Sequence, residues 1–303
     1  MDVLTTKDLT KSYKGTTVVD QVNLTIGAGE IFGLIGENGA GKTTLMRLIT
    51  GLTRADSGQV GLFSETTPAG LARARRRLGS VIETPALYPN LTAHQNLECH
   101  RLSCGITDQG ASARVLAQVG LAEAGKKKVR AFSLGMKQRL GLALALVTQP
   151  DFVILDEPVN GLDPTGVIEM RDLIHALSAM GVTVLISSHI LAELSQVATR
   201  YAIIHRGRIL TTLTNAQLHE QCARALEIRV DDTAAATVQL ETALGISNYK
   251  VVDAGQIRVY EHLDNPVGVA TALTQAGVNV TRLTEVGDTL EDFFLATIQG
   301  ATK

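Results

Sequence analysis

The chain of 303 residues is long enough for about two domains with their own cores, and its net charge of −2 does not point to a nucleic-acid partner. Three cysteines, Cys99, Cys104 and Cys222, are odd in number and lack metal-ligand spacing, which weighs against a disulfide framework and fits a reducing cytosol. The longest apolar run, 142–147, is far too short for a membrane span, and Met1-Asp2-Val3 opens without the basic and apolar regions of a signal peptide, so a soluble protein is expected.

Residues 3–9 and 16–26 alternate apolar and polar side chains and read as antiparallel strands. Tyr13 lies between them, where an aromatic ring either stacks on a flat base or is a partly buried loop residue. The apolar run 31–35 reads as a buried strand, and the periodic Leu45, Met46, Leu48 and Ile49 as a helix. Between them stands Gly36-Glu37-Asn38-Gly39-Ala40-Gly41-Lys42-Thr43-Thr44, with the spacing G-x-x-x-x-G-K-[ST]. Glycines let such a backbone wrap a phosphate with its N–H groups pointing inward, and the helix start adds partial positive charge. Lys42 reaches the β- and γ-phosphates, and the Thr43 hydroxyl can ligate Mg²⁺. The competing reading is a glycine-rich turn that matches by accident; the strand–loop–helix context argues against it.

A short strand over 60–63 is followed by a basic helix over 71–78. The basic runs Arg73, Arg75, Arg76, Arg77 and Lys126, Lys127, Lys128 read as solvated faces. The next strand, 79–83, ends in the carboxylate of Glu83 and leads into the turn-rich Thr84-Pro85-Ala86-Leu87-Tyr88-Pro89. Thr92 caps a helix that runs to about residue 104, and 111–119 forms another. Residues 90–150 are thus mostly helical between strand-rich flanks, a helical insertion in an α/β domain. Ser133 begins a further helix, where Ser133 and Gly135 either leave N–H groups free for an anion or only cap.

The apolar strand 152–155 delivers two acids, Asp156 and Glu157. Ligands of open parallel sheets sit at that edge, so one acid can hold Mg²⁺ and the next can orient an attacking water. Capping of the next helix, over 165–180, is the plainer alternative. The buried strand 182–187 should lie beside the acid-bearing one, which aims the following His189 at the same phosphate unless it is merely structural. A hairpin over 201–205 and 208–212 closes this part.

From about residue 214 the texture changes. Strands over 226–230, 249–253, 256–262 and 278–284 alternate with helices over 234–244, 266–276 and 290–299, in the order β-α-β-β-α-β-α. That order suggests a ferredoxin-like α+β domain. Six Lys/Arg against eleven Asp/Glu from residue 221 onward make it acidic, at −5, and it carries no recognisable motif.

The motifs, taken in order, resemble the nucleotide-binding subunit of an ABC transporter over residues 1–212. Tyr13 stands where that family stacks adenine, and Gly36 to Thr44 is its Walker A loop. Ser133-Leu134-Gly135-Met136 with Gln138-Arg139 looks like its signature helix. Asp156 and Glu157 match Walker B and the catalytic acid, Leu162-Asp163 the D-loop, and His189 the switch histidine. Two departures stand out. The usual Leu-Ser-Gly-Gly-Gln is Phe132-Ser133-Leu134-Gly135-Met136, and a usual Gln is Glu83. The latter, with the Leu290-Glu291-Asp292-Phe293-Phe294 ending, resembles the bacitracin- and lantibiotic-type immunity exporters of bacteria.

The resemblance implies a P-loop ATPase fold, α/β with a mixed sheet, a helical subdomain at about 90–150 and an antiparallel β-subdomain, in a domain 1–212, with an accessory domain over 213–303. It implies ATP held by Tyr13, Gly36, Asn38, Gly39, Gly41, Lys42, Thr43, Thr44, Glu83, Ser133 and Gly135, with Mg²⁺ at Thr43, Glu83 and Asp156. Glu157 and His189 would be catalytic. Each ATP would be sandwiched between the phosphate loop of one copy and the signature of a second, in a head-to-tail homodimer. The dimer would be cytoplasmic, peripheral on the inner face of the cell membrane, and would drive a permease on separate chains to export an antimicrobial peptide or drug. A non-transport ABC ATPase of repair or translation would be expected to carry long coiled coils or a second cassette. A GTPase would want Asn-Lys-x-Asp, which the sequence lacks.

Overall fold

In the computed structural model, which describes residues 1–222, 224–287 and 290–301, the chain opens with β1 (Asp2–Tyr13) and β2 (Thr16–Gly27). Lys14 and Gly15, with φ of 48° and 83°, close this hairpin. A two-residue turn with both φ positive matches the right-handed twist of the strands it joins. The first strand therefore runs past residue 9, and Tyr13 is a strand-end residue instead of a loop one. β3 (Ile31–Ile35) and α1 (Lys42–Thr50) follow, and β4 (Ser57–Leu62) returns to give an antiparallel sheet β2-β1-β4.

Thr67 caps α2 (Pro68–Ala74), a 3-10 turn spans Arg75–Arg77, and β5 is Leu78–Val81. The helix expected over 71–78 thus begins earlier, because a threonine followed by Pro at the first helical position is a strong start. It also ends earlier, because Leu78 is drawn into the sheet opposite Phe152. The strand expected over 79–83 stops at Val81, and Glu83 adopts φ 60°, a left-handed conformation that turns the chain. Three helices come next: α3 (Ala93–Ser103), started by a reciprocal Thr92–Gln95 capping box, α4 (Ala111–Gln118) and α5 (Leu134–Leu146). Glu98 of α3 accepts from Arg101 and from the Ser112 hydroxyl of α4, which hold its carboxyl down at about 2 and tie the two helices together.

The remaining elements of this part are β6 (Phe152–Leu155), α6 (Pro164–Ala179), β7 (Thr183–Ser188), α7 (Leu191–Ser195), β8 (Arg200–His205) and β9 (Arg208–Thr214). They complete a six-stranded sheet, β5-β6-β7-β3-β8-β9, parallel except for β9. Every residue of β3, β6 and β7 is buried, as parallel strands covered on both faces require. Phe32 and Leu34 of β3 share one core with Leu45, Met46 and Ile49 of α1 and with Leu4, Leu9 and Ile26 of the antiparallel sheet. Parallel strands end at one edge. The segments after β3, β5, β6 and β7, carrying the glycine loop, Glu83, Asp156-Glu157 and His189, are therefore delivered together.

α8 (Asn215–Cys222), which the sequence did not suggest, leads to β10 (Ala225–Val230), α9 (Thr233–Leu244), β11 (Tyr249–Asp253), β12 (Gln256–Val259), α10 (Pro266–Gln275), β13 (Val280–Val286) and α11 (Leu290–Ala301). The four strands form an antiparallel sheet, β11-β12-β10-β13, over a core of Leu226, Ile228, Ile257, Val259, Leu240 and Leu273. Met1–Asn215 with the chain end from Ile298 cluster as one unit, and Ala216–Thr297 as another. Within the expected 213–303 segment, positions 223, 288–289 and 302–303 lie outside the described residues. Among the described residues no helix is long and apolar enough to cross a membrane.

Candidate nucleotide site

The glycine loop leaves the middle of the parallel sheet, since Ile35 pairs with Ser188 of β7 and with Ile203 of β8. Gly36 donates its N–H to Ser188 O (3.3 Å), and a Cβ there would stand 2.5 Å from Ile204 O. Gly41, at φ 107°, is equally confined: a Cβ would stand 2.5 Å from Val18 O, and one on Gly207 would meet the same oxygen at 2.5 Å. Gly207 N–H donates to Ala40 O (2.9 Å), so β2, the loop and the β8–β9 turn lock together at Val18. The tip is open by contrast. Gly39 has φ 83° and nothing within 4 Å of a would-be Cβ, and Glu37 and Asn38 are exposed.

No side chain caps α1, and its first intrahelical donor is Leu45, to Gly41 O at 2.9 Å. The N–H groups of Lys42, Thr43 and Thr44 are thereby left for an anion at the positive end of the helix, which fits phosphate. Lys42 is buried, and its ammonium donates to Gly36 O (2.6 Å) and Glu37 O (3.2 Å) while lying 3.1 Å from Glu157 Oε1. The Thr43 hydroxyl donates to Asp156 Oδ2 at 2.7 Å. His189 Nδ1 lies 2.8 Å from Glu157 Oε2; a carboxylate only accepts, so the proton of this bond is on Nδ1.

Ser187, which sequence reading passed over, joins the two acids. Its hydroxyl donates to Asp156 Oδ1 (2.7 Å) and accepts from Glu157 N–H (2.9 Å). The signal was a buried serine that follows the apolar run Val184–Ile186 near the end of the strand. Both Asp156 oxygens are thus held by hydroxyls, and Glu157 is held at φ 49° with its carboxylate between Lys42 and His189. Ser187→Ala would leave a buried carboxylate oxygen and an N–H unpaired. We expect about 1–3 kcal/mol of lost stability in urea unfolding and an ATPase rate lowered about tenfold.

Glu83 reaches the same sheet edge, since Asp156 N–H donates to Val81 O (2.9 Å), but its carboxylate is occupied by Arg47 of α1, Nη2 to Oε1 at 2.7 Å. The Mg²⁺ role drawn from the resemblance therefore meets a competing cation inside the chain. Tyr13 is about half exposed at the end of β1, with Lys11 Nζ 5.4 Å from its ring centroid. Ser133 uses its hydroxyl as the cap of α5, accepting from Met136 N–H at 3.2 Å. Gly135 follows on a helix start whose Leu134 approaches Gly161 and whose Gly135 approaches Leu162. Among the described residues no hydrogen bond or ion pair joins Ser133 or Gly135 to the loop 36–44. Nor does any group of three His, Cys, Asp or Glu side chains form a metal cage among them. Thr43 with Asp156 fits Mg²⁺ in its usual manner, one or two protein oxygens with phosphate and water supplying the rest.

A family model described as ABC transporter matches residues 19–160. The bacitracin transport ATP-binding protein BcrA of Bacillus licheniformis is 42% identical over 99% of this chain and 98% of its own. The lantibiotic transport ATP-binding protein SrtF of Streptococcus pyogenes is 41% identical over 69% of this chain and 89% of its own. A solved structure of the ATP-binding subunit of an ABC transporter is 30% identical, with a TM-score of 0.65 over 72% of this chain and 92% of that one. A relative aligned from end to end, on a fold that brings the phosphate loop, acids and histidine to one edge, leaves a single conclusion: this chain belongs to the ATP-binding subunits of ABC transporters.

Proposed function

We propose that this ATPase powers export of an antimicrobial peptide or drug through a membrane permease carried on separate chains. The supporting observation is that its likeness to a bacitracin transport protein runs through residues 216–297 as well as through the ATPase unit. The backbone N–H groups of Lys42, Thr43 and Thr44 and the Lys42 ammonium bind the phosphates, and Tyr13 stacks the adenine. Thr43 and Asp156 would hold Mg²⁺, which neutralises charge on the transferred phosphoryl group. Glu157 orients the attacking water, kept in place by Lys42 and by His189.

A second copy completes the site. One chain has one phosphate loop and one Ser133 helix start, and the resemblance pairs each with the opposite one of a second chain. The complex sits at the inner face of the membrane through its permease. Expressing the chain with its genomically adjacent membrane proteins in a bacitracin-sensitive host is the test. Raised resistance to bacitracin or a lantibiotic, lost with Glu157→Gln, is expected. Failure to co-purify with any membrane protein, together with unchanged sensitivity, would sink the transport reading.

Every residue proposed to hold or act on the nucleotide lies within Met1–Asn215. A chain ended after Asn215 is expected to fold and to keep basal ATPase activity, read by thermal melt and phosphate release. A folded but inactive truncation would show that Ala216–Thr297 contributes to catalysis.

A further inference from the structure

Among the described residues, the Arg47–Glu83 pair is the ion pair that ties α1 to the turn after β5 at the nucleotide edge. Arg47 lies one helical turn beyond Thr43, whose hydroxyl is bonded to Asp156. Glu83 lies two residues beyond β5, whose Val81 pairs with Leu155 of the acid-bearing strand. The helix that carries Thr43 is thus tied, by a cation already present in the chain, to the turn after the strand that pairs with the one delivering Asp156. Without Arg47, Glu83 would add a third carboxylate to an edge that already holds Asp156 and Glu157 and must receive phosphates. Like charges there oppose nucleotide and attract a divalent cation.

We propose that Arg47 is the built-in counter-ion of Glu83, and that it sets how strongly nucleotide binding depends on Mg²⁺. Arg47 is a positioning residue: it acts through the carboxylate it holds. While the pair is closed, the Glu83 charge is neutralised by the guanidinium; when a divalent cation arrives with the phosphates, Glu83 can exchange one positive partner for the other. The turn does not depend on Arg47 alone. Pro85 is wedged onto α5, where a Cβ on Gly141 would run into its ring, and Asn96 of α3 donates to Tyr88 O (3.2 Å) and accepts from Tyr88 N–H (2.7 Å). Arg47 and Glu83 are also 38% and 57% exposed, so charge can be removed from either without opening the core. The inference rests on Mg²⁺ at Thr43 and Asp156, but not on export.

The experiment is equilibrium binding of a fluorescent ATP analogue to the full-length protein, in Mg²⁺ and in EDTA, reading the ratio of the two affinities. Arg47→Gln exposes the Glu83 charge and is expected to raise this ratio about twofold to fivefold, the range of an exposed ion pair. Arg47→Lys should restore most of it. Glu83→Gln should lower the ratio, and adding Arg47→Gln in that background should change nothing further. Arg73→Gln, which opens the comparable Arg73–Glu65 pair (3.3 Å) away from the site, serves as control and should match the unmodified protein. Equal shifts from Arg47→Gln with and without Glu83 would overturn the proposal, as would a ratio indifferent to Glu83→Gln, whatever the Arg47 variants do. Loss of transport with an intact pattern of ratios would count against the export reading only.

Discussion

Glu157→Gln is expected to bind ATP normally and to hydrolyse it about 10²- to 10⁴-fold more slowly. The amide fills the same space beside Lys42 and His189 but cannot take a proton from the attacking water. Hydrolysis is what reopens the proposed ATP sandwich, so the variant should accumulate as an ATP-bound dimer. Size-exclusion chromatography with and without Mg-ATP reads this directly. His189→Ala should also slow hydrolysis, and the double variant should cost less than the product of the two, because both residues act through one hydrogen bond. An active, monomeric Glu157→Gln protein would remove the assignment of Glu157.

The second large effect is at Lys42. Its ammonium is shared among Gly36 O, Glu37 O and Glu157 Oε1, so Lys42→Ala removes the proposed phosphate partner and the neutralising partner of Glu157 together. A charge-assisted hydrogen bond is worth about 1.5–3 kcal/mol, or about 10- to 150-fold in affinity. The remaining carboxylate repels phosphate and deepens the loss. Nucleotide titration beside circular dichroism should show an unchanged fold and no measurable binding at micromolar ATP. Wild-type affinity in the variant would refute the role.

What could be read in advance depended on how far the cause lay along the chain. The phosphate loop was legible because strand, glycines, Lys42 and helix are contiguous. Asp156, Glu157 and His189 were legible because apolar strands announce where polar residues emerge from a sheet. The hydroxyl of Ser187 between the two acids was not, since nothing local distinguishes a bridging serine from a strand-ending one. Glu83 was noticed as an exception, but its partner lies on α1, thirty-six residues away in sequence. Strand ends were misjudged where the determinant was cross-strand: Tyr13 stays in β1 because it has Thr16 to pair with. Helix α8 was missed because its polar composition carries little apolar period.

The meeting of Gly41, Gly207 and Val18 bears on how the site comes into being during folding. The loop's shape is not encoded by its nine residues alone; it is moulded by a carbonyl from near the start of the chain and a turn from about two hundred residues later. Contacts so distant in sequence close only after much of the intervening chain is ordered. Nucleotide competence should therefore appear late and all at once in refolding, after secondary structure is regained. A nascent chain still short of Gly207 should lack it, although every residue recognised as motif has by then been made. By the same reasoning Gly207→Ala, far from any motif, should behave as a lesion of the phosphate loop.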